Sequence, residues 1–267
     1  MNETEVVEIN GGPLAFDASG SGHPLILVHG GLGDRRMWDD QVETLAERFR
    51  VIRYDQRGYS DSPMPAGSVS YHEDLYGLLH ALHIPQANVV GVSFGARVVT
   101  DFTLTHPEMV SSLISVSSVV GGLSDETKSR IAEADRAAED GDLDRAVELE
   151  LRIWIDGVGR LPEEVNPAVR EKVRAMNRAL WEQPDTDVET IDIDPPARVR
   201  LAEIEAPVLV VVGELDIPDV QATADLLLRE IPDARRITIP RAAHHPHMEQ
   251  PALFNRVVLD FLSTVSG

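Results

Sequence analysis

The sequence predicts an α/β fold, a mostly parallel sheet with helices on both faces, interrupted once by an all-helical insertion. Three observations carry this expectation. Short apolar runs alternate with segments of helical period along most of the chain. Runs such as Leu25-Ile26-Leu27-Val28 and residues 208–212 are apolar at every position, as strands buried on both faces require. The alternation stops after Gly121-Gly122 and resumes near Pro196.

Taken in order, residues 4–9 and 14–18 read as short strands, followed by the buried run 25–28. A helical pattern over 38–49 leads to a strand at 51–54, which ends in a polar, glycine-containing loop. Residues 71–83 form an amphipathic helix with Leu75, Leu78, Leu79 and Leu82 on one face, stopped by Pro85. Val89-Val90-Gly91-Val92 is a strand, 95–104 a helix and 113–116 a strand. From 124 to 181 only helical periods occur, in sequence rich in Glu, Asp and Arg. Leu143, Val147, Leu151 and Trp154 make one apolar stripe there, and Val169, Val173, Met176 and Leu180 a second, so two to four helices are expected. The Pro- and Asp-rich stretch 184–196 returns to a strand at 208–212, a helix at 219–231, the last strand at 234–239 and a closing helix at 252–262. This gives eight strands with the insertion after the sixth. It divides the 267 residues into a core of 1–122 with 197–267 and an insertion of 123–196. No internal repeat or low-complexity segment interrupts the pattern.

Composition excludes several classes of function. With 45 acidic and 24 basic residues the net charge is −21, a field that repels nucleic acid and anionic membranes and otherwise serves solubility. There is no cysteine, which rules out disulfides, thiol nucleophiles and cysteine-held metals. The N-terminus is acidic and lacks the basic and apolar regions of a signal peptide, and no apolar run approaches membrane-spanning length, so a cytoplasmic protein is expected.

The candidate chemistry starts at Gly91-Val92-Ser93-Phe94-Gly95, a G-x-S-x-G match between a buried strand and a helix. Glycines two residues either side allow a tight turn that lifts the serine hydroxyl above the sheet edge. The plain alternative is a serine in an ordinary strand-to-helix turn. A serine nucleophile needs a base, and the base an orienting acid. Of nine histidines, His244 in the loop after the last strand is best placed, with His245 its rival and His247 assigned to the pocket wall or the loop. His80 and His83 lie on the helix before the nucleophile strand, and His106, ahead of Pro107, reads as an exposed turn. The loop after strand 208–212 offers Asp216 as the acid, with Glu214 second. A metal held by His244, His245 and His247 is disfavoured, because adjacent histidines point apart and Pro246 stiffens the loop. An oxyanion would be met by the Phe94 amide and by one from His29-Gly30-Gly31-Leu32-Gly33, where Gly31 leads and Leu32 competes. That loop is no nucleotide cradle, since Arg36 stands where G-x-G-x-x-G needs its third glycine.

Together, His29-Gly30-Gly31, Asp55–Ser62 in the sequence DQRGYSDS, Gly91–Gly95, Gly213–Asp216 and the His244 loop resemble the α/β-hydrolase superfamily over nearly the whole chain. The variant is similar to the branch of enol-lactonases, arylesterases, cofactor-free haloperoxidases and meta-cleavage-product hydrolases. The resemblance implies an eight-stranded sheet whose insertion is a helical cap, with Asp55 and Arg57 bracing loops. Ser93 departs from dehalogenases, which carry Asp there, and Arg241 stands where a small residue is usual before the histidine. The expectation is an enzyme that hydrolyses a small carboxylic ester or lactone without cofactor or metal, as a monomer or homodimer. Leu32, Trp38, Trp154 and Trp181 are candidates for its substrate pocket, each tryptophan having core packing as its plain alternative. The alternatives are C–C hydrolysis of a vinylogous diketone with the same residues, and ligand sensing without catalysis.

Overall fold

A computed structural model describes residues 3–183, 186 and 188–265; Pro184, Asp185 and Asp187 of the expected linker lie outside the described residues. The strands are β1 (Glu5–Ile9), β2 (Gly12–Ser19), β3 (Pro24–Val28), β4 (Arg50–Tyr54), β5 (Ser68–Val69), β6 (Ala87–Val92), β7 (Val110–Val116), β8 (Glu189–Thr190), β9 (Val208–Gly213) and β10 (Ala234–Ile239). The helices are α1 (Asp39–Ala46), α2 (Tyr71–Ala81), α3 (Phe94–Thr105), α4 (Asp125–Glu139), α5 (Leu143–Trp154), α6 (Pro167–Trp181), α7 (Pro218–Glu230), α8 (Pro246–Glu249) and α9 (Pro251–Val265).

Eight strands form one sheet in the order β1-β2-β4-β3-β6-β7-β9-β10. Pairing is antiparallel for β1 with β2 and β2 with β4, and parallel from β4 through to β10. The central strands β6 and β9 are buried along their whole length, which accounts for their unbroken apolar sequence. The chain belongs to an α/β fold with a mostly parallel eight-stranded sheet, as its alternation predicts. Between β7 and β9, helices α4, α5 and α6 interrupt the alternation, and both apolar stripes face inward: Val147, Leu151, Val173 and Met176 are buried. An unforeseen two-residue parallel pairing of β5 with β8 fastens the return from the insertion to the loop after β4.

The helix expected over 38–49 is shorter than its pattern. Residues Arg35–Trp38 form a 3-10 turn whose Arg36 amide is capped by the Asp34 carboxylate, and α1 follows. Trp38 is drawn into the core by this turn, against His247 at 4.4 Å and Phe254 at 6.1 Å between ring centroids. It does not line the cavity described below, so the expectation for this tryptophan is corrected in favour of core packing.

Candidate active site

The strand-to-helix junction at Ser93 is built as tightly as the glycine spacing implies. Ser93 has φ 55° and ψ −116°, a left-handed conformation costly for a residue with a side chain. A Cβ at Gly91 would lie 2.2 Å from the Gly95 carbonyl oxygen, and one at Gly95 would lie 2.4 Å from those of Val28 and His29. Neither contact is sterically tolerable, so only glycine lets β6, α3 and the end of β3 meet here. The hydroxyl of Ser93 is left at the carboxyl edge of the sheet, where β3, β6, β9 and β10 all end.

His244 and Asp216 arrive from two loops at that edge. His244 Nε2 is 2.8 Å from Ser93 Oγ, and its Nδ1 is 3.0 and 3.1 Å from the two Asp216 carboxylate oxygens. Asp216 Oδ1 also accepts the Ile217 amide at 2.8 Å, which fixes the carboxylate. Both His244 and Asp216 are buried, so the hydrogen bonds between them form away from bulk water, while Ser93 is half-buried and faces the cavity. Sequence order places Ser93, Asp216 and His244 far apart; folding brings them into one hydrogen-bonded chain. The rivals go elsewhere. Glu214 is exposed and accepts the Arg241 amide at 2.9 Å. His245 is buried beside His244, and burial holds it well below its ordinary pKa, so it stays neutral. His247 packs on Trp38 and is absent from the cavity wall, which settles its placement in the loop and core. His106 is half-buried rather than exposed, stacked on Tyr76 at 4.3 Å with Nε2 3.1 Å from Glu73. Arg241 adopts φ 56°, so the position that usually holds a small residue is a left-handed turn, which arginine occupies under strain.

Other residues hold these loops in register. His29 accepts the Gln56 amide on Nε2 at 3.0 Å, so its Nδ1–H donates to the Gly30 carbonyl at 2.8 Å. Burial lowers its pKa to about 4, and it serves as a neutral clip on the loop that carries Gly31. Asp55 accepts the Arg35 amide and pairs with the Arg35 guanidinium. Arg57 is fully buried, donating to the carbonyls of Ile9, Gly12 and Pro13 and to Asp74. One brace was not legible beforehand. Arg160, beyond α5, donates to Glu249 at 2.6 Å, and Glu249 accepts the Ala243 amide at 2.6 Å, next to His244. Gly157, with φ 75°, lies so close to Ala243 and Leu215 that a Cβ would be 2.6 Å from each. The exit of α5 is therefore fitted against both the Asp216 and His244 loops.

A cavity of about 1150 Å³ lies over Ser93, between the sheet edge and helices α4, α5 and α6. Gly31, Leu32, Phe94, Trp154 and Trp181 are in its wall. Trp154 also packs on the His244 ring at 4.6 Å. A Cβ at Gly31 would meet only Tyr59 Oη at 3.7 Å and Phe94 Cβ at 3.8 Å, so its bare backbone leaves room beside Ser93. Gly30 is the tighter position, where an added Cβ would lie 3.3 Å from Ser93 Cβ and from the Val92 carbonyl oxygen.

A Ser-His-Asp hydrogen-bonded chain at the carboxyl edge of a parallel sheet, beneath a helical insertion, is the arrangement of α/β hydrolases. Residues 23–251 match the family model for the alpha/beta hydrolase fold, and the chain belongs to that family. It is 28% identical over 260 residues to the pimeloyl-[acyl-carrier protein] methyl ester esterase of Aeromonas hydrophila, covering 93% of this chain and 99% of the other. Among solved structures it is similar to a thermophilic esterase from Thermogutta terrifontis, with TM-score 0.78 and 26% identity over 98% of this chain and 99% of that one. The enol-lactonase of Burkholderia xenovorans shares the fold at TM-score 0.79 and 23% identity, covering 97% of this chain and all of the other (100%). Among the described residues no helix is long and apolar enough to cross a membrane.

Proposed function

We propose that the protein is a serine hydrolase that cleaves a small carboxylic ester or lactone through an acyl-enzyme, with the α4–α6 insertion as the cap over its site. The observation that carries this reading is the 2.8 Å contact of His244 Nε2 with Ser93 Oγ, continued from Nδ1 to Asp216. Ser93 attacks the substrate carbonyl while His244 takes its proton. Asp216 holds the ring with Nδ1 protonated and stabilises the imidazolium that forms. The amides of Phe94 and Gly31 receive the oxyanion. Collapse expels the alcohol, protonated by His244, and a water activated by the same ring releases the acid. The partner is a small molecule, and no step calls for a cofactor.

Support comes also from the esterase relatives and from the cavity, large enough for a small ester and walled mainly by apolar side chains. C–C hydrolysis of a dienolate fits less well. Among the described residues the charged side chains in the wall are Asp135, Glu139 and Glu150, all acidic, and an anion would be repelled. Release of p-nitrophenol from acetate and butyrate esters, with wild type beside Ser93→Ala, tests the proposal. Turnover is expected to fall at least a thousandfold in a variant that still folds; equal activity in both would remove Ser93 from the mechanism.

A further inference from the structure

Glu150 sits on the cavity side of α5 and is buried in the wall of the site. Among the described residues no arginine, lysine or histidine pairs with it, although most buried carboxylates have such a partner. Trp154 lies one turn further along α5 and packs on His244 at 4.6 Å. A second indole, Trp181 from α6, lines the same space. So does Asn177, a residue 2% exposed whose carbonyl oxygen has no hydrogen-bond partner among the described residues. At the mouth, Asp135 and Glu139 are exposed on α4. No basic residue lines the cavity among those described.

The acceptors here share one preference, while the Trp181 indole N–H, buried and without a partner among the described residues, is left to donate to an acceptor of the substrate. Carboxylates and an amide oxygen accept hydrogen bonds or attract positive charge, and indole faces bind cations through their quadrupole. The geometry points to an organic cation, a protonated or alkylated amine, as the part of the substrate held under the insertion, with Glu150 and the Trp154 and Trp181 indoles as its seat. Because Glu150 is one helical turn from the tryptophan that packs on His244, the cationic group would lie a few atoms from the scissile carbonyl. The net charge of −21 draws such molecules toward the protein and turns carboxylate-bearing esters away. Burial lifts the Glu150 carboxyl to about 7, and a cation beside it would restore the ionised form. This inference rests on the serine-hydrolase reading for the identity of the reacting bond, but the recognition itself does not depend on turnover.

The test compares p-nitrophenyl esters of trimethylammoniopentanoate, of its neutral tert-butyl isostere and of adipate, which differ only at the far end. In parallel, binding of the three corresponding primary amides to Ser93→Ala protein is measured by calorimetry. The cationic ester is expected to exceed the neutral one at least tenfold in kcat/KM, with the anionic ester last. The amides are expected to follow the same order in Kd. Glu150→Gln should reduce the cationic-to-neutral ratio at least tenfold, and Trp181→Leu reduces it independently if the first variant does not fold. Ester turnover with no cationic preference in either readout would overturn this inference and leave the serine chemistry standing. Selective binding of the cationic amide without turnover of any ester would support it and overturn the hydrolase reading instead.

Discussion

Gly95→Ala places one methyl group at the junction on which the site depends. The added Cβ would lie 2.4 Å from both the Val28 and His29 carbonyl oxygens. Carbon and oxygen tolerate an approach of about 3.2 Å, so the first turn of α3 and the end of β3 must separate by roughly 0.8 Å. Both obstacles are backbone atoms, and no side chain can swing aside. The separation moves Ser93 and the Phe94 amide with α3, while the Gly30-Gly31 loop stays with β3, so the proposed nucleophile and oxyanion donors lose register. Misplacement of that order costs about 100-fold in rate, or about 2.7 kcal/mol of transition-state stabilisation. Overpacking should lower stability by about 1–3 kcal/mol. Steady-state hydrolysis of p-nitrophenyl butyrate gives the first quantity and urea unfolding the second. A variant with wild-type kcat/KM would refute the claim that this glycine contact sets the geometry of the site.

Asp216→Asn should leave the fold intact and lower kcat about 10⁴-fold with little change in KM, because an amide no longer selects the Nδ1-protonated tautomer; a loss below tenfold in stopped-assay kinetics would contradict its role. His247 is buried with its pKa lowered to about 3 from an ordinary 6.5, and its ring nitrogens have no partner among the described residues. The unfolded chain therefore takes up this proton first: the contribution is intact above pH 6.5 and is lost as pH falls toward 3, at about 1.4 kcal/mol per unit. His247→Leu should lose about 2 kcal/mol less stability than wild type between pH 7 and 5, and parallel urea midpoints in the two proteins would count against it. Arg160→Met strips the partner from buried Glu249, with side-chain exposures of 13% and 5% in the pair. Thermal and urea unfolding should show a loss of about 3–5 kcal/mol. The Ala243 amide contact would loosen too, so kcat should fall with it; an unchanged melting curve would show that the clamp carries no load.

Much of this molecule was legible in one dimension because its signals are local. Strands buried on both faces must be apolar at every position, and helices must repeat their apolar residues at three and four, so the sheet, the helical insertion and its place between β7 and β9 follow from spacing alone. Gly91 and Gly95 declare a junction with no room for side chains, and Ser93 is marked by standing between them. The loops after β9 and β10 are equally plain, since parallel strands end at one edge and offer their loops to a common site. What stayed open were choices among neighbours. His244 over His245, and Asp216 over Glu214, depend on where each side chain points in a turn, which spacing does not encode. Trp38 carries the same composition signal as Trp154, yet the 3-10 turn at Arg35–Trp38 sends it into the core while α5 delivers Trp154 to the cavity. Arg160 with Glu249, and the buried Glu150 among indoles, join residues distant in sequence or turn on which face of a helix is roofed by another. Those are properties of packing, and only the tertiary structure decides them.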